Sequence, residues 1–380
     1  MPPLKHALLG ASSSHRWLNC TPSAVFEREF ESRETEAAAE GTAAHALCEH
    51  KLRKALKMRS IKPISQYDSD EMDMHTDGYV EFVLEKLAEA KQYSEDTMVL
   101  IEQRLDFSCF VPDGFGTGDC IIVADNLIHI IDFKYGQGVL VDAENNPQMM
   151  LYALGAIKMF EHLYEFENVS MSIYQPRREN ITTWTITCDE LMAWAEDYLI
   201  PRAALAYKGE GEYVPGSHCT FCKAAVKCRA RADEKMKLAK YEFKLPPLLT
   251  DEEIEDILLH LDDLTKWANE IQAYAQSVAI NNGKKWNGFK LVESRSNRKY
   301  TDEEAVVQAA FAAGYKDIYK KSLISITEME KLMGKTTFKE VLGSYVHKPQ
   351  GKPTLVPASD KRPEIITSDA KNDFNEIEVI

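Results

Sequence analysis

Apolar residues in the first two hundred positions change between helical spacing and strand-like runs. Helical spacing favours amphipathic helices, and short apolar runs bounded by turn residues favour buried strands. In chain order the pattern predicts a helix at 35–56, a helix at 70–93, a strand at 98–107, two strands around a turn at 125–126, a helix at 146–160, strands at 168–176 and 180–188, and a helix at 189–207. Strands interleaved with helices predict an α/β core with a central mixed sheet flanked by helices.

The pattern changes near residue 246. The stretch KLPPLLT breaks the preceding helical pattern, and Thr250 and Glu253 have the spacing of a capping box. Helical spacing then continues to NNG at 281–283, and the strand-like segment WNGFKLVES and further helical segments follow. The final stretch has four prolines and an acidic end, which favours disorder. We predict a first domain at 1–245, a mainly helical accessory domain at 246–345 and a disordered acidic tail at 346–380.

Composition and charge narrow the class of protein. The 380 residues contain no apolar run near the roughly 20 needed to cross a bilayer, and the N-terminus lacks a signal-peptide pattern. We therefore expect a cytoplasmic protein with no membrane partner. A net charge of -15 argues against general attraction to nucleic acid but allows a local basic groove. The segment 219–244 has eight basic and three acidic residues, which fits either such a groove or a solvated helix face.

The sequence GTGDCIIVADNLIHIIDFKYG, residues 116–136, predicts a tight hairpin. A two-residue loop at 125–126 suits its Asp-Asn sequence. Pairing outward from this loop puts Asp119 directly opposite Asp132, with side chains that start roughly 5 Å apart on one face. Lys134 shares that face because side chains in a strand alternate. Glu102 on the preceding strand is a weaker candidate for the same acidic cluster.

Two opposed carboxylates repel each other unless a cation lies between them. Hard oxygen ligands favour Mg²⁺ or Mn²⁺, which accept phosphate oxygens as further ligands. Lys134 could then orient or deprotonate a water, or neutralise charge on a phosphate. The alternative without a function is a surface ion pair between Lys134 and one of the aspartates.

The motif GTGD, followed thirteen residues later by DFK, resembles the PD-(D/E)XK nuclease superfamily. In that family an acid and a D/E-x-K triplet on adjacent strands bind the catalytic metal. The resemblance implies catalytic roles for Asp119, Asp132 and Lys134, and a restriction-endonuclease-like core. Gly118 stands where the namesake motif has proline, a departure that is common in the RecB-like branch.

Two further motifs are similar to the RecB-like branch. GTAAH, residues 41–45, resembles its G-x-x-x-H element, which implies that His45 completes the metal site; a lone helical histidine is otherwise more often structural. QMMLY resembles its Q-x-x-x-Y element, which implies that Gln148 and Tyr152 line the substrate groove. Arg177, in the segment QPRR, is a further candidate to grip the substrate strand.

Three cysteines are closely spaced in HCTFCKAAVKC. Cys219, Cys222 and Cys228 form a C-x2-C-x5-C pattern that predicts a zinc or iron-sulfur site. Cys20 lies in a loop-like context and is the best candidate for a fourth ligand, whereas the other four cysteines fall in helix or strand patterns that indicate small core residues. With zinc, His218 is an alternative ligand.

One cysteine before the nuclease motifs and three after them is an arrangement similar to the iron-sulfur nucleases of the RecB-like branch, including AddB-type recombination nucleases. The resemblance implies a structural 4Fe-4S cluster at Cys20, Cys219, Cys222 and Cys228, with Zn²⁺ as the alternative. The opening SSSHRWLNC is similar to a group of phage and prophage proteins, which implies the cytoplasm of a bacterial host cell.

These patterns support more than one function. The first hypothesis is a Mg²⁺- or Mn²⁺-dependent DNA exonuclease that acts on single-stranded or frayed ends, with phage replication or recombination proteins as partners. The alternative is a non-catalytic module that binds DNA ends in a replication or recombination complex. A redox sensor that uses the cluster is a third hypothesis.

Overall fold

The computed structural model describes residues 7–30, 35–237, 249–291, 304–305, 307–308 and 325–346. The chain divides into two compact units, Met1–Tyr274 and Ala275–Ile380. The predicted domain boundary at 245–246 and almost all of the predicted tail lie outside the described residues.

Helices and strands follow the predicted order closely. The strands are β1 (Met98–Asp106), β2 (Phe115–Ala124), β3 (Leu127–Phe133), β4 (Asn168–Gln175) and β5 (Asn180–Thr187). The helices are α1 (Ser14–Asn19), α2 (Ser23–Phe26), α3 (Glu36–Ala55), α4 (Asp70–Ala90), α5 (Pro147–Phe160), α6 (Cys188–Trp194), α7 (Ile200–Lys208), α8 (Arg229–Lys235), α9 (Asp251–Asn282), α10 (Ile326–Met333) and α11 (Lys335–Leu342). The predicted helix at 189–207 is divided: a π-helical turn at Ala195–Leu199 joins α6 to α7.

The strands form one mixed sheet in the order β1-β2-β3-β4-β5. Strands β1, β2 and β3 are antiparallel neighbours, β3 and β4 are parallel, and β5 pairs antiparallel with β4. Helix α5 lies in the connection between the two parallel strands, as a parallel pair requires. This arrangement confirms the predicted α/β core with a central mixed sheet flanked by helices.

The hairpin between β2 and β3 has the predicted register. Ala124 pairs with Leu127, and Cys120 pairs with Ile131. The central strands have nearly continuous apolar sequences because helices cover both of their faces. Helices α1, α5, α6 and α7 pack on one face of the sheet, which we call the α5 face. Helices α3 and α4 pack on the other, which we call the α3 face.

Capping residues fix where two of these helices begin. The Thr35 side chain accepts a hydrogen bond from the backbone of Ala38 at the start of α3. The Asn146 side chain accepts from the backbone of Gln148 at the start of α5, where Pro147 occupies the first turn. The cap therefore places Gln148 in the first turn of α5.

The predicted capping box at the start of α9 is present. The backbone N–H of Thr250 donates to the Glu253 carboxylate, and the Glu253 backbone N–H donates to the Thr250 hydroxyl. The helix ends at Asn282, before Gly283 with its φ of +65°. The strand predicted at 286–294 is wrong for its described part, because residues 287–288 form a turn. Within the described residues, no helix is long and apolar enough to span a membrane.

Two helical glycines differ in their surroundings, so alanine at each should have opposite effects. A Cβ at Gly155 in α5 would lie 2.9 Å from the Leu105 Cβ on β1, whereas a Cβ at Gly41 in α3 has nothing within 4 Å. We expect Gly155→Ala to lower the free energy of unfolding by about 1–3 kcal/mol through overpacking. We expect Gly41→Ala to raise it by about 0.5–1 kcal/mol through helix propensity.

Urea denaturation followed by circular dichroism measures both changes. Gly41→Ala is the matched control, since both variants add one methyl group inside a helix. Equal effects of the two substitutions would contradict the close approach of α5 to β1.

Candidate metal centre

Three acidic residues lie side by side on three adjacent strands. Strands β1 and β2 pair in one unbroken register on both sides of Glu102 and Asp119, so these two residues are opposite each other. The pairing of β2 with β3 ends at Cys120 and Ile131, so Asp119 and Asp132 are the next residue of each strand and lie at the same level of the sheet. The row Glu102–Asp119–Asp132 therefore covers three of the five strands and concentrates negative charge at one place.

Glu102 interrupts the regular geometry of β1. Its φ of +51° is left-handed, which is unusual for a residue other than glycine inside a strand. Before it, Leu100 packs on the α5 face and Ile101 on the α3 face; after it, the odd-numbered Leu105 packs on the α5 face. The alternation of side chains between the two faces therefore reverses at Glu102.

The neighbouring strand β2 reverses at the same level. Ile121 and Val123 pack on the α5 face. A Cβ at Gly116 would meet the Tyr152 ring, and one at Gly118 would meet Leu105 and Ile121, so these even-numbered positions also point to the α5 face. Asp119 lies between the two sets, at the point where the alternation reverses.

Asp119 and His45 meet because of this reversal. The His45 Nδ1 atom, on α3, is 3.3 Å from the Asp119 Oδ2 atom. The same Oδ2 atom accepts a hydrogen bond of 2.8 Å from the backbone N–H of Phe133. The Asp119 carboxylate therefore links β2 to both β3 and α3.

His45, Glu102 and Asp119 each offer one ligand atom, and these atoms all lie within 4.8 Å of one another. One imidazole and two carboxylates can bind a divalent ion such as Mn²⁺ or Mg²⁺. The His45 side chain is 33% exposed and that of Asp119 is 14% exposed, so an ion could enter from solvent. This group is the candidate metal centre.

The charges of the candidate metal centre depend on one another. Burial and the Asp119 carboxylate raise the pKa of Glu102 to about 7. Although burial opposes both changes, the contact between His45 and Asp119 raises the pKa of the imidazole and lowers that of the carboxyl. The Asp119 carboxylate is thus stabilised by His45, and it favours the neutral form of Glu102.

Asp132 takes part in a neighbouring hydrogen-bonded network. Its Oδ2 atom is 2.8 Å from Lys134 Nζ. The Lys134 ammonium also donates to the Gln148 side-chain oxygen at 3.1 Å. The Gln148 amide nitrogen donates to Asp132 Oδ1 at 3.2 Å and to the Tyr152 hydroxyl at 3.1 Å. Gln148 therefore contacts Asp132, Lys134 and Tyr152 together, and the four side chains form one network.

Burial shifts the pKa values of this second network. Burial and the nearby Asp119 raise the pKa of Asp132, and Lys134 opposes the change. Burial would lower the pKa of Lys134, but the carboxylates of Asp132 and Asp119 outweigh it and raise the pKa. The Lys134 ammonium is therefore charged at neutral pH and remains beside the row of acids.

The predicted site residues are thus divided between two neighbouring groups. The predicted cation between Asp119 and Asp132 stays a prediction. Asp119 contacts His45 and lies near Glu102, while Asp132 contacts Lys134 and Gln148 on the α5 face. The reversal at Glu102 and Asp119 explains the difference, since Asp132 continues the regular alternation of β3.

Arg177 is held by other side chains. Its guanidinium forms two hydrogen bonds with the Glu40 carboxylate on α3, at 2.9 and 2.7 Å. It also lies over the Tyr135 ring, 3.9 Å from the ring centroid. Its predicted contact with substrate stays a prediction, and the observed contacts are sufficient to explain its position.

The four cysteines of the predicted cluster line one cavity. Cys20 directly follows α1, Cys219 and Cys222 lie in and after a short helical turn at 217–221, and Cys228 directly precedes α8. Cys20 and Cys219 are 219 − 20 = 199 positions apart in the chain. The fold therefore brings together a distant cysteine and a local group of three. We call this the cysteine cavity.

Polar contacts hold the two sides of the cysteine cavity together. Arg16, on α1, forms a 2.6 Å ion pair with Glu27 and donates to the Phe221 carbonyl at 3.2 Å. The Glu27 carboxylate also accepts a 2.6 Å hydrogen bond from the backbone N–H of Lys223. Arg16 and Glu27 therefore hold the N-terminal segment against the cysteine-rich segment.

His218 also lines the cysteine cavity. It is buried, and its Nε2 atom is 2.8 Å from the Val214 carbonyl oxygen. Of the four cysteines predicted to be core residues, Cys48 and Cys120 are buried and Cys188 is partly buried. Cys109 contradicts that prediction, because it lies exposed in the turn between β1 and β2.

The fold and the site define an α/β protein with a candidate metal centre across a mixed sheet. The family described as "Protein of unknown function (DUF2800)" matches residues 6–363, so the chain belongs to this family. A solved structure described as "Crystal structure of SSO0001" is 12% identical, and the match covers 57% of this chain and 97% of that one. Its TM-score of 0.22 is too low to carry an argument.

The left-handed backbone of Glu102 predicts an unusual order of stability among variants. Glycine adopts this conformation freely, whereas alanine in it costs about 1–2 kcal/mol. We expect Glu102→Gly to be more stable than Glu102→Ala by about 1 kcal/mol in urea denaturation. Both variants remove the same carboxylate, so their difference isolates the backbone. An equal or greater stability of the alanine variant would contradict the left-handed conformation.

Proposed function

We propose that this protein is a divalent-metal-dependent nuclease that hydrolyses phosphodiester bonds of DNA. The observation that carries the proposal is the group formed by His45, Glu102 and Asp119, whose ligand atoms lie within 4.8 Å of one another. The charged Lys134 lies in the adjoining network, paired with Asp132 at 2.8 Å. A cluster of acids with one ammonium group beside it suits reactions at a phosphate, because the acids can bind a cation and the ammonium can donate a hydrogen bond to the phosphate.

In the proposal, His45, Glu102 and Asp119 hold the ion, and Asp132 adds a further carboxylate beside them. A bound divalent ion would lower the pKa of a bound water and offset negative charge on the phosphate. The row of acids also attracts cations from solution before any ion binds. Further negative charge would be unfavourable beside this partly buried row of acids. The His45 imidazole suits the site because it adds a ligand atom without adding a negative charge.

Lys134 is proposed to act on the substrate phosphate. Asp132 and Gln148 fix its ammonium from two sides, at 2.8 and 3.1 Å. A donor that is oriented before the substrate arrives stabilises developing charge without reorganisation. Gln148 in turn is held by the Tyr152 hydroxyl, so these two side chains are proposed to position Lys134 and Asp132 at the wall of the substrate groove.

The choice of DNA, and of single-stranded or frayed ends, follows the sequence resemblance to RecB-like nucleases. The same resemblance is the basis for proposing a role beside phage replication or recombination proteins. The alternative, a DNA-end-binding module without catalysis, requires binding with no cleavage in the presence of metal, and the experiments below distinguish the two.

We also propose that the cysteine cavity holds a 4Fe-4S cluster with a structural role. The support is that Cys20, Cys219, Cys222 and Cys228 line one cavity although the first is far from the others in the chain. Thiolates are the usual ligands of such clusters. A link between positions so distant restricts the unfolded chain and should stabilise the fold.

Cleavage of labelled DNA tests the proposed nuclease. We expect the wild-type protein to degrade single-stranded DNA with Mg²⁺ or Mn²⁺ and to be inactive with a chelator. We expect Lys134→Ala to reduce the rate by about 10²–10³-fold, the effect of losing one preorganised donor. We expect Asp119→Asn to abolish both cleavage and Mn²⁺ binding measured by calorimetry.

Glu85→Gln is the matched control for the acidic substitutions. Glu85 is an exposed acid on α4, and its loss should leave cleavage and Mn²⁺ binding unchanged. Absence of metal-dependent cleavage by the wild-type protein on single-stranded, frayed and duplex DNA would overturn the proposal. Intact Mn²⁺ binding by Asp119→Asn would remove this group as the metal centre.

Iron analysis tests the proposed cluster. We expect protein purified without oxygen to show visible absorption and to contain about four iron and four sulfide per chain. Cys20→Ser should lose iron and lower the midpoint of thermal unfolding, because the distant link is broken. Cys109→Ser, which changes an exposed cysteine elsewhere, should retain both. Zinc in place of iron in the wild-type protein would contradict the cluster and favour the zinc alternative.

A further inference from the structure

The most basic part of the described chain lies directly after the helix that carries His45. Between Glu49 and Asp68 there are six basic residues and no acidic ones, in a chain whose net charge is -15. The six are Lys51, Arg53, Lys54, Lys57, Arg59 and Lys62. The second half of this run belongs to the connection between α3 and α4, residues 56–69, which we call the α3–α4 loop.

Two of the six are neutralised by the protein itself. Lys51 pairs with Asp73 and Asp77 on α4, at 2.8 and 2.6 Å, and Arg53 pairs with Glu49 at 2.9 Å. The other four, at positions 54, 57, 59 and 62, are exposed. Among the described residues, none of these four has a carboxylate within ion-pair distance. They form a local positive surface in an acidic protein.

The α3–α4 loop also exposes apolar side chains. Ile61 is 93% exposed and Ile64 is 96% exposed, with Pro63 between them. Met58 is 44% exposed on the same loop. Such exposure of several large apolar groups on one short segment indicates a contact surface, since water is an unfavourable environment for them.

The loop is anchored at both ends. The Ser60 hydroxyl is 2.9 Å from the His50 Nδ1 atom on α3, and the Met58 backbone N–H donates to the Arg53 carbonyl at 2.8 Å. At the other end, Tyr67 packs against the core of the α3 face. The exposed tip at 61–64 therefore projects from a fixed base.

The α3–α4 loop follows the same helix that carries His45 of the candidate metal centre. His45 and Lys54 lie nine residues apart on one helix, a rise of about 14 Å at 1.5 Å per residue. Phosphates along one strand of B-form DNA are separated by about 3.4 Å along the axis, so this distance corresponds to about four nucleotides. A strand at the metal centre could thus extend to the loop.

We propose that the last turn of α3 and the α3–α4 loop together bind the nucleic-acid substrate, beginning about four nucleotides from the position where it is cut. Lys54, Lys57, Arg59 and Lys62 contact phosphates, and Ile61 and Ile64 pack against bases. This inference rests on the proposed function for its substrate, but it concerns binding and can be tested without cleavage.

Nucleic acid fits both chemical features of the loop. Phosphate contacts from unpaired lysine and arginine provide affinity that does not depend on sequence. Isoleucine and proline are among the apolar residues that nucleic-acid-binding proteins insert between base steps. An anionic membrane would satisfy the same features, but only nucleic acid also explains why they follow the helix that carries His45.

Fluorescence anisotropy with labelled single-stranded DNA in a chelating buffer measures binding in the absence of cleavage. We expect the triple variant K57Q/R59Q/K62Q to bind at least about tenfold more weakly than wild type, because three phosphate contacts are lost. The slope of log affinity against log salt should fall by about 2, at about 0.7 per contact. We expect I61S/I64S to weaken binding with no change in that slope.

The variant K91Q/K208Q/K285Q is the matched control. It removes the same number of positive charges from exposed positions elsewhere on the chain. If its affinity falls as much as that of the loop variant, binding follows net charge and the proposal is overturned. The proposal is also overturned if wild-type protein does not bind DNA, or if K57Q/R59Q/K62Q binds as wild type does.

Two further measurements distinguish failure of the proposed nuclease from failure of DNA binding by the loop. The Asp119→Asn variant should still bind DNA through the loop. Binding without cleavage by the wild-type protein would overturn the nuclease and the stated distance from the cut, whereas the binding role of the loop would stand or fall with K57Q/R59Q/K62Q. Sedimentation with vesicles of phosphatidylcholine and phosphatidylserine tests the membrane alternative. Vesicle binding lost in I61S/I64S, together with DNA binding unchanged in that variant, would overturn the proposal in favour of a lipid surface.

Discussion

Repulsion among three carboxylates in one row is the constraint on which the centre of this structure depends. Glu102, Asp119 and Asp132 lie at the same level of β1, β2 and β3, and each is stabilised in a different way. Asp119 is charged and contacts His45 and the Phe133 backbone. Asp132 pairs with Lys134. Glu102 has its pKa raised to about 7, so it readily becomes neutral. The sheet can hold the row because helices on both faces supply compensating groups.

The left-handed backbone at Glu102 connects this electrostatic arrangement to the fold. A strand with regular alternation would direct acids at this level to one face, where a single helix would have to balance all of them. Reversal of the alternation on both β1 and β2 brings Asp119 to α3, while Asp132 remains with α5. The strained residue is therefore found where the strand changes face, and the two helices share the charge.

Much of the fold could be predicted from sequence, because it depends on local patterns. The turn at 125–126 fixes the register of the hairpin from Ala124 and Leu127 to Cys120 and Ile131, and with it the level at which Asp119 and Asp132 lie. The capping box of α9 is equally local. The partners of these aspartates could not be predicted, since no residue type in the sequence signals a positive φ at a glutamate. The contact of Arg177 with Glu40 joins positions far apart in the chain, and periodicity carries no information about such a pair. The strand-like context of Cys109 predicts a core residue, but β1 ends at Asp106, three residues before it, and the following turn leaves it exposed.

The ion pair between Arg16 and Glu27 connects two segments that are distant in the chain. Arg16 also donates to the Phe221 carbonyl, and Glu27 accepts from the Lys223 backbone, so each member of the pair contacts the cysteine-rich segment directly. Loss of either side chain would therefore weaken both contacts at once, and the docking of the cysteine-rich segment depends on a single ion pair near the other end of the unit.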